Sequence, residues 1–478
     1  MRLRRARIRW FVVMAALAIA TPVLATTSGP AAGTPAIGPL APVETQISAT
    51  DNTTTQGEPE IAENPLNPNN LFIDWNSFRY PTSNMTPITN PCGGKRSMDG
   101  GLSWQSAPVP LSSCADGVTT FGPDGTLYAG GITVTNTQIF PPPCSNHPGS
   151  ILFANLCLLV TGYDALVHST DSGQTWSPVA RPMGSQSVGP FPFAPGSGNP
   201  AGTFDRPWVR VDQSTNTVYA SGANIADHER FVTASTDDGQ SFGTIYAVDS
   251  PDYPSGGNPS GTIDAANGVL AVAYTAASAP NATCPCVIFE TSTDQGARFT
   301  RHVVPTVDAA SVPRPFVTAD PNQPGHFALA ILDSTGTENQ VYTTRDGGAT
   351  WHGPTLVAEA PANLRFKPWI AFGPSGQLAL VWRTAHGGSP ATSPYDVWAA
   401  VGRDLGNNGA AFSAPVRVSS ATGTYPPGSG GQGDDFSFVL ADHKYIHVGW
   451  GDSRSGFTQV WYSRIPFPTF AGFNNGTG

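Results

Sequence analysis

Seven residues that lead into apolar, strand-like runs carry most of the chemistry this sequence offers. Six of them are charged, in a chain of 478 residues of which only 12% are charged. Three carboxyl groups are available for proton transfer, and three cations are available to hold a carboxylate, which arginine does through two parallel hydrogen bonds. In chain order, the seven are Glu58, Asp116, Arg206, Asn258, Arg314, Lys367 and Asp435.

These seven positions become equivalent when the chain is divided into repeated units. In each unit an apolar run is followed by a turn rich in Asp, Pro, Asn and Gly, then by a second and a third run, and a fourth short run follows the box described below. The segments DRPWVRVDQSTNTVYASG (205–222) and RPFVTADPNQPGHFALAIL (314–332) show the pattern. Four short antiparallel strands per unit predict the blades of a β-propeller, in which the first strands line a central channel. The seven residues are therefore expected to form one ring.

The units number seven, although the sixth and seventh are incomplete. The sixth carries a degraded form of the box described below (403–412), and the seventh ends after its third run, QVWYSRI (459–465). PVETQIS (42–48) resembles PVRVSS (415–420), so the N-terminus is predicted to supply the missing strand and to close the ring. Six blades remain the alternative, if the second unit, which has long insertions, is not a full blade.

Between the third and fourth strands of most units lies an eight-residue box. Its third residue, Asp, can accept backbone N–H groups across a turn, and Gly at the fifth position allows a positive φ. The final Trp or Phe can pack between neighbouring sheets. Five copies predict a structural role, not a catalytic one. The copies are Ser97–Trp104, Ser169–Trp176, Ser235–Phe242, Ser292–Phe299 and Thr344–Trp351.

The pattern S-x-D-x-G-x-[TS]-W resembles the Asp-box (BNR) repeat of the sialidase superfamily. The resemblance covers residues 43–467 and implies the all-β propeller of that superfamily. Together with the seven units counted above, it predicts a seven-bladed propeller with four-stranded blades. That superfamily contains exo-sialidases, other glycosidases and propellers without enzymatic activity. The fold alone therefore leaves the function open.

In sialidases three arginines hold the carboxylate of sialic acid, an Asp is the acid/base, and a Tyr–Glu pair is the nucleophile. The resemblance implies substrate binding by the basic residues of the ring and acid/base or helper roles for its acidic residues. A lysine then replaces the third arginine. The substrate-binding set is Arg206, Arg314 and Lys367, and the catalytic set is Asp116, Glu58 and Asp435.

A further substrate-binding candidate is Arg79. The segment FRYP (78–81) resembles the F/Y-R-I-P motif of sialidases, whose Arg binds the substrate carboxylate. Here the segment follows a second strand instead of opening a first strand. Arg454 follows the corresponding strand in the seventh unit. For the nucleophile, Tyr425 is a weak candidate.

The termini and the charge balance indicate an exported protein. Residues 1–25 have five arginines, an apolar run and a small-residue cleavage site, as in a secretory signal peptide. Cleavage would leave 19 Lys and Arg against 34 Asp and Glu, a formal charge of −15, which disfavours nucleic acid as a partner. Residues 26–42 are predicted to be a flexible linker, and 468–478 a loose C-terminal tail.

All six cysteines follow the predicted leader, which favours disulfides in an exported chain. Proximity in the sequence suggests the pairs Cys92–Cys114, Cys144–Cys157 and Cys284–Cys286. We therefore predict a secreted, monomeric propeller without stable membrane insertion, and without a cofactor or metal. The predicted activity is that of a glycoside hydrolase of the exo-α-sialidase type acting on extracellular glycans. The alternative is a non-catalytic, glycan- or protein-binding propeller of the cell envelope.

Overall fold

Short apolar strands separated by turns rich in Gly, Pro, Asp and Asn build seven antiparallel sheets. A computed structural model describes residues 42–48, 54–79, 92–111, 114–143, 146, 151–153, 156–183, 204–224, 229–256, 261–306, 314–359, 363–390, 392–425 and 434–473. The first strands of successive sheets contact one another around a ring that closes between the seventh sheet and the first. The predicted seven-bladed propeller is therefore confirmed, and the six-bladed alternative is excluded.

The strands are numbered β1–β30 along the chain. The first strand, β1 (Val43–Gln46), belongs to the last blade. The first three blades contain β2 (Thr54–Asn64), β3 (Asn67–Arg79), β4 (Gly93–Ser97) and β5 (Gln105–Ser106); β6 (Ala115–Phe121), β7 (Leu127–Phe140), β8 (Ile151–Phe153), β9 (Leu156–Ser169) and β10 (Ala180–Met183); and β11 (Phe204–Asp212), β12 (Thr217–Asn224), β13 (Arg230–Ser235) and β14 (Tyr246–Ala247).

The remaining four blades follow the same plan. They contain β15 (Gly261–Ala266), β16 (Val269–Ala276), β17 (Cys286–Ser292) and β18 (Thr300–Val303); β19 (Phe316–Ala319), β20 (Phe327–Leu332), β21 (Asn339–Thr344) and β22 (His352–Val357); β23 (Leu364–Phe372), β24 (Gln377–Ala385), β25 (Tyr395–Asp404), β26 (Ala410–Phe412) and β27 (Val416–Arg417); and β28 (Phe438–Ala441), β29 (Tyr445–Asp452) and β30 (Gln459–Pro466) with β1. Short 3₁₀ segments lie at Gly406–Asn408 and Phe467–Thr469. Among the described residues, no helix has the length and apolar character needed to cross a bilayer.

The N-terminal strand closes the ring as the sequence predicts. β1 pairs antiparallel with β30, with Val43 opposite Arg464 and Gln46 opposite Trp461. Arg454 binds Glu44 of this strand at 2.9 Å and Asp452 at 2.6 Å. The seventh blade therefore gains a fourth strand, and its third strand is no longer an open edge.

The five eight-residue boxes form the hairpins between third and fourth strands. In the second blade, Asp171 accepts the backbone N–H groups of Gln174 and Thr175 at 3.0 and 2.8 Å, and Gly173 has a φ of 83°. The side-chain hydroxyl of Thr175 also donates to Asp171, and together these hydrogen bonds lower the pKa of Asp171 to about 2. The ring of Trp176 packs edge-on against Phe72 of the preceding blade, 5.7 Å away.

An aromatic layer fills the middle of the channel, at the positions immediately after the charged ring. Trp369 lies at its centre, with ring centroids 4.8–5.7 Å from four neighbours. All five rings are buried, so they belong to the core. The layer consists of Trp208, Phe316, Trp369, Phe436 and Phe438.

Disulfides and the C-terminal segment complete the described ring. The predicted pairs Cys92–Cys114 and Cys284–Cys286 are present, whereas the Cys144–Cys157 pair lies outside the residues whose side chains are described. In the predicted tail, Phe470 is buried and Phe473 packs against Phe467. These apolar side chains hold residues up to 473 against the propeller.

Candidate functional site

The charged ring lies where the first strands enter the channel, and four of its members have an unusual backbone. Glu58, Asp116, Arg206 and Lys367 have φ values of 53°, 47°, 55° and 53°. A non-glycine residue in this left-handed region costs about 1–2 kcal/mol. Such outliers persist where the surroundings impose them, and they are frequent at functional sites.

The local sequence explains the strained backbone. Each of the four residues lies in a β-bulge, where the register of the first and second strands shifts. In three of them the next residue is proline, which has no N–H to donate to the sheet, and in the fourth it is Gly117. The bulge turns the charged side chain out of the alternating pattern of its strand.

Four of the predicted site residues form one connected cluster. Asp116 lies close enough to Glu58 for its charge to raise the pKa of Glu58. The backbone N–H of Arg206 donates to Asp116 at 3.1 Å, and its guanidinium pairs with Asp435. The backbone N–H of Asp435 donates to Glu58 at 2.8 Å, which completes a circuit through the first, second, third and seventh blades.

Within the cluster, Glu58 and Asp435 differ in their affinity for a proton. Burial, followed by the charges of Asp116 and Asp435, raises the pKa of Glu58 well above its ordinary range, and Glu58 is only 2% exposed. Burial opposes the charge of Asp435, but Arg206 and Lys367 outweigh it and hold the pKa of Asp435 at about 2. The pKa values of these two carboxyl groups therefore shift in opposite directions within one cluster.

Lys367 belongs to a second, adjoining group. Its Nζ donates to the hydroxyl of Tyr425 at 2.5 Å and to the backbone carbonyl of Asp434. Arg383, which is fully buried, forms a two-pronged ion pair with Asp434 and donates to Tyr425 at 2.7 Å. Burial lowers the pKa of Lys367 to about 8, although Asp434 opposes the change.

Arg314 differs from the other basic residues of the ring. It is exposed, and no carboxylate of the described residues lies within ion-pair distance of it. Together with Arg206 and Asp435 it lines a cavity of about 20 Å³, whose floor is formed by the aromatic layer. A cavity of this size has room for about one water molecule.

The other predicted residues lie elsewhere. Asn258 is outside the described residues. The backbone of Arg79 lies at the end of β3, opposite Thr54, which is four residues before Glu58. Arg79 is therefore placed away from the bulges of the ring.

Sequence reasoning missed Arg383 and Asp434, which fix Lys367 and Tyr425. One signal was available: Arg383 is a charged residue inside the apolar run of β24, where a charge requires a buried partner. Asp434 directly precedes Asp435, but the pattern did not distinguish their roles.

At its opposite end the channel widens. A cavity of about 470 Å³ is lined by the ends of the first strands of all seven blades. Trp369 and Phe438 of the aromatic layer face this cavity, so the layer separates it from the charged ring. Its walls are mostly apolar, with Glu63, Arg210 and Asp264 among the charged exceptions.

The comparisons with known proteins agree with this architecture. No family model matches the chain. A xyloglucanase from Paenibacillus sp. is 25% identical over 230 residues, which are 44% of this chain and 21% of the xyloglucanase. The chain thus spans about a fifth of the length of that relative.

Solved structures with the same architecture include sialidases. The Hadza microbial sialidase Hz136 is 14% identical, with a TM-score of 0.45, covering 80% of this chain and 75% of its own. A protein of unknown function from Dyadobacter fermentans is 12% identical, with a TM-score of 0.47, covering 88% and 97%. At these identities the similarity carries no conclusion about family or activity.

Proposed function

We propose that this chain is an exported glycoside hydrolase of the exo-α-sialidase type, acting on extracellular glycans at the charged mouth of its channel. The observation that supports this proposal most is the contrast between Glu58 and Asp435. Burial raises the pKa of Glu58, whereas Arg206 and Lys367 outweigh burial and lower the pKa of Asp435. Two carboxyl groups with divergent pKa values are what acid/base cleavage of a glycosidic bond requires.

In this proposal the basic residues bind an acidic sugar. Arg314 is exposed and is the first contact for the substrate carboxylate, which it can hold through two hydrogen bonds. Arg206 approaches from the other wall of the same cavity and would exchange part of its contact with Asp435 for the substrate. Lys367 adds positive charge from behind Asp435, and Arg79 is an outlying candidate.

The acidic residues have different access to the substrate. The side chain of Asp435 is 33% exposed, so it is the carboxylate that can reach a sugar as base or nucleophile. Glu58 is buried behind it and is the candidate proton donor, with Asp116 as a neighbouring helper. Tyr425 remains a candidate nucleophile, but its hydroxyl is committed to Lys367 and Arg383.

Export is part of the same proposal. Residues 1–25, which have the pattern of a signal peptide, and the linker at 26–42 precede β1. The two disulfides of the structure fit an oxidising compartment.

A non-catalytic, glycan- or protein-binding propeller is the second candidate. It is favoured by the pairing of Arg206 with Asp435 and of Lys367 with Asp434, and by the small cavity between Arg206 and Arg314. A ligand bound in this way would contact Arg314 and the rim without displacing the buried ion pairs.

Turnover of a panel of fluorogenic glycosides, sialosides included, tests the proposal. We expect Asp435→Asn to reduce turnover by about 10²–10⁴-fold, the range of acid/base catalysis. Arg314→Ala should raise KM more than it lowers kcat, because Arg314 binds substrate without transferring a proton. Arg298→Ala is the matched control, since Arg298 is a highly exposed arginine on a hairpin of the fourth blade.

The result also separates the two candidates. A folded wild-type protein that cleaves none of these glycosides would reject the hydrolase. In that case, glycan-array binding that Arg314→Ala abolishes and Arg298→Ala preserves would establish the binding propeller.

A further inference from the structure

Away from the charged mouth, three side chains with metal-binding chemistry meet between the first and seventh blades. One oxygen or nitrogen from each of Glu63, Asp442 and His447 lies within 4.8 Å of the other two. Glu63 is on β2, Asp442 directly follows β28, and His447 is on β29. Asp442 and His447 lie five residues apart in one hairpin, whereas Glu63 is distant from both in the sequence and is brought to them by closure of the ring.

The hydrogen bonds of Asp442 and His447 orient both groups toward this point. Oδ1 of Asp442 accepts the backbone N–H groups of Lys444 and Tyr445, which fixes the carboxylate and leaves Oδ2 beside Nε2 of His447 at 3.0 Å. Nδ1 of His447 contacts the hydroxyl of Tyr462 at 2.6 Å. Metal-binding histidines and carboxylates are commonly held by such outer hydrogen bonds.

Glu63 supplies the observation that points to a ligand. Its Oε2 is buried, yet no described residue donates a hydrogen bond to it. A buried carboxylate oxygen without a partner is costly, particularly next to the carboxylate of Asp442. A cation bound between the two carboxylates would satisfy both.

The equivalent hairpin of the fifth blade contains a similar group of side chains, whose charges are already paired with one another. There Asp320 and Asp404 bind opposite nitrogens of His326, at Nδ1 (2.7 Å) and Nε2 (3.0 Å), and Arg345 binds Asp404 at 2.6 Å. The three ligand groups of the fifth blade therefore do not face one point, and an arginine balances the second carboxylate. In the seventh blade Nδ1 of His447 contacts the hydroxyl of Tyr462 instead of a second carboxylate, and no arginine or lysine of the described residues forms an ion pair with Glu63.

An ion has a route to this site. Glu63 also lines the cavity of about 470 Å³ at the wide end of the channel. Three protein ligands with solvent-filled space beside them leave a coordination position for water or for a ligand in the cavity.

We propose that Glu63, Asp442 and His447 bind one divalent transition-metal ion, of the Zn²⁺ or Mn²⁺ class, at the wide end of the channel. One imidazole nitrogen and two carboxylate oxygens suit these ions, whereas Ca²⁺ takes six to eight oxygen ligands. This site is independent of the proposed glycoside hydrolase, whose residues lie on the other side of the aromatic layer.

Titration calorimetry of the full mature chain, without an affinity tag and after dialysis against EDTA, tests the site with ZnCl₂ and MnCl₂. We expect one ion per chain, confirmed by elemental analysis, and no competition from CaCl₂. Glu63→Gln keeps the shape of the side chain and removes its charge, and should weaken binding by at least about tenfold. His326→Gln is the matched control and should leave the dissociation constant unchanged.

Three results would overturn the proposal. They are the absence of one-to-one binding of either ion, an unchanged dissociation constant in Glu63→Gln, and an equal loss of affinity in His326→Gln. The substitution His447→Gln removes a fully buried ring. The unfolding midpoint of this variant is therefore measured first, to establish that it folds. If His447→Gln is folded, it should lose binding as Glu63→Gln does, and retained binding would also reject the site.

Discussion

The two ends of the central channel are built from the same seven first strands, yet their chemistry is opposite. At the narrow end, charged side chains fill the space and leave about 20 Å³. At the wide end, about 470 Å³ is bounded mostly by apolar strand residues. The aromatic layer around Trp369 separates the two regions.

The difference arises from the backbone where each strand starts. Bulges with positive φ turn Glu58, Asp116, Arg206 and Lys367 inward at the narrow end. Beyond the bulge the strands are regular, so their side chains alternate and the wide end keeps the ordinary character of a core surface. The strained bulges of the first strands and the ring of charges that they carry therefore lie at one end, where the proposed chemistry lies.

The largest expected effect is the loss of unfolding free energy when one partner of a buried ion pair is removed. Arg383→Met leaves Asp434 ionised and fully buried, with Lys367 as its remaining partner, and should lower the free energy of unfolding by about 3–5 kcal/mol. At the wide end, Arg210→Met removes the partner of Glu60, at 2.7 Å. Burial already raises the pKa of Glu60, so it can take up a proton, and we expect a loss of about 1–2 kcal/mol.

Urea denaturation of both variants at neutral pH measures this difference. Equal losses would show that the two ends tolerate charge alike. A double variant, Arg383→Met with Asp434→Asn, should recover part of the loss, because it removes the unpaired charge.

The next effect concerns the proton on Glu58. The folded chain keeps this proton because the pKa of Glu58 is raised, whereas the unfolded chain releases it above a pKa of about 4.3. The protonated Glu58 therefore contributes its full stability below the pKa of the unfolded chain. This contribution is lost as the pH rises from that value through the pKa of Glu58 in the folded chain. The loss is about 1.4 kcal/mol per pH unit.

Glu58→Gln carries no such proton. Its stability relative to the wild type should therefore improve steadily as the pH rises from about 5 to 8, at up to about 1.4 kcal/mol per unit. Urea denaturation at several pH values gives the slope. Parallel pH profiles of the two proteins would mean that Glu58 is ionised in the folded state.

The smallest effect isolates the backbone strain at the narrow end. Lys367→Gly and Lys367→Ala both remove the ammonium group, but only Gly adopts a φ of 53° without steric cost, so the Gly variant should be more stable by about 1 kcal/mol. Thr120, in the regular part of β6, should show the opposite order, with Gly about 0.5–1 kcal/mol less stable than Ala. Thermal unfolding of the four variants measures both differences, and the same order at both positions would contradict the assignment of strain.

The architecture could be predicted from the sequence because it is repetitive. Aligning the units on their apolar runs identified Glu58, Asp116, Arg206 and Lys367 as equivalent, and the bulges confirm that equivalence. Similarity between residues 42–48 and 415–420 was enough to predict closure by the N-terminal strand.

The partners of these residues could not be predicted in the same way. The ion pair between Arg383 and Asp434 joins the second strand of one blade to the segment before the next, and no repeat relates the two residues. Likewise, the contact of Glu63 with Asp442 depends on the width of the closed ring. Pairings that cross between blades are set by packing, and local sequence patterns do not contain them.

Closure by β1 also constrains how the molecule is made. Synthesis proceeds from the N-terminus, so β1 is produced before the seven blades, whereas its partner β30 is the last strand of the propeller. Until β30 is made, β1 has no strand to pair with, and the first blade has no seventh blade beside it. The ring can therefore become complete only after β30 has left the ribosome. Because β1 has only four residues, it offers other chains little edge to pair with in the meantime.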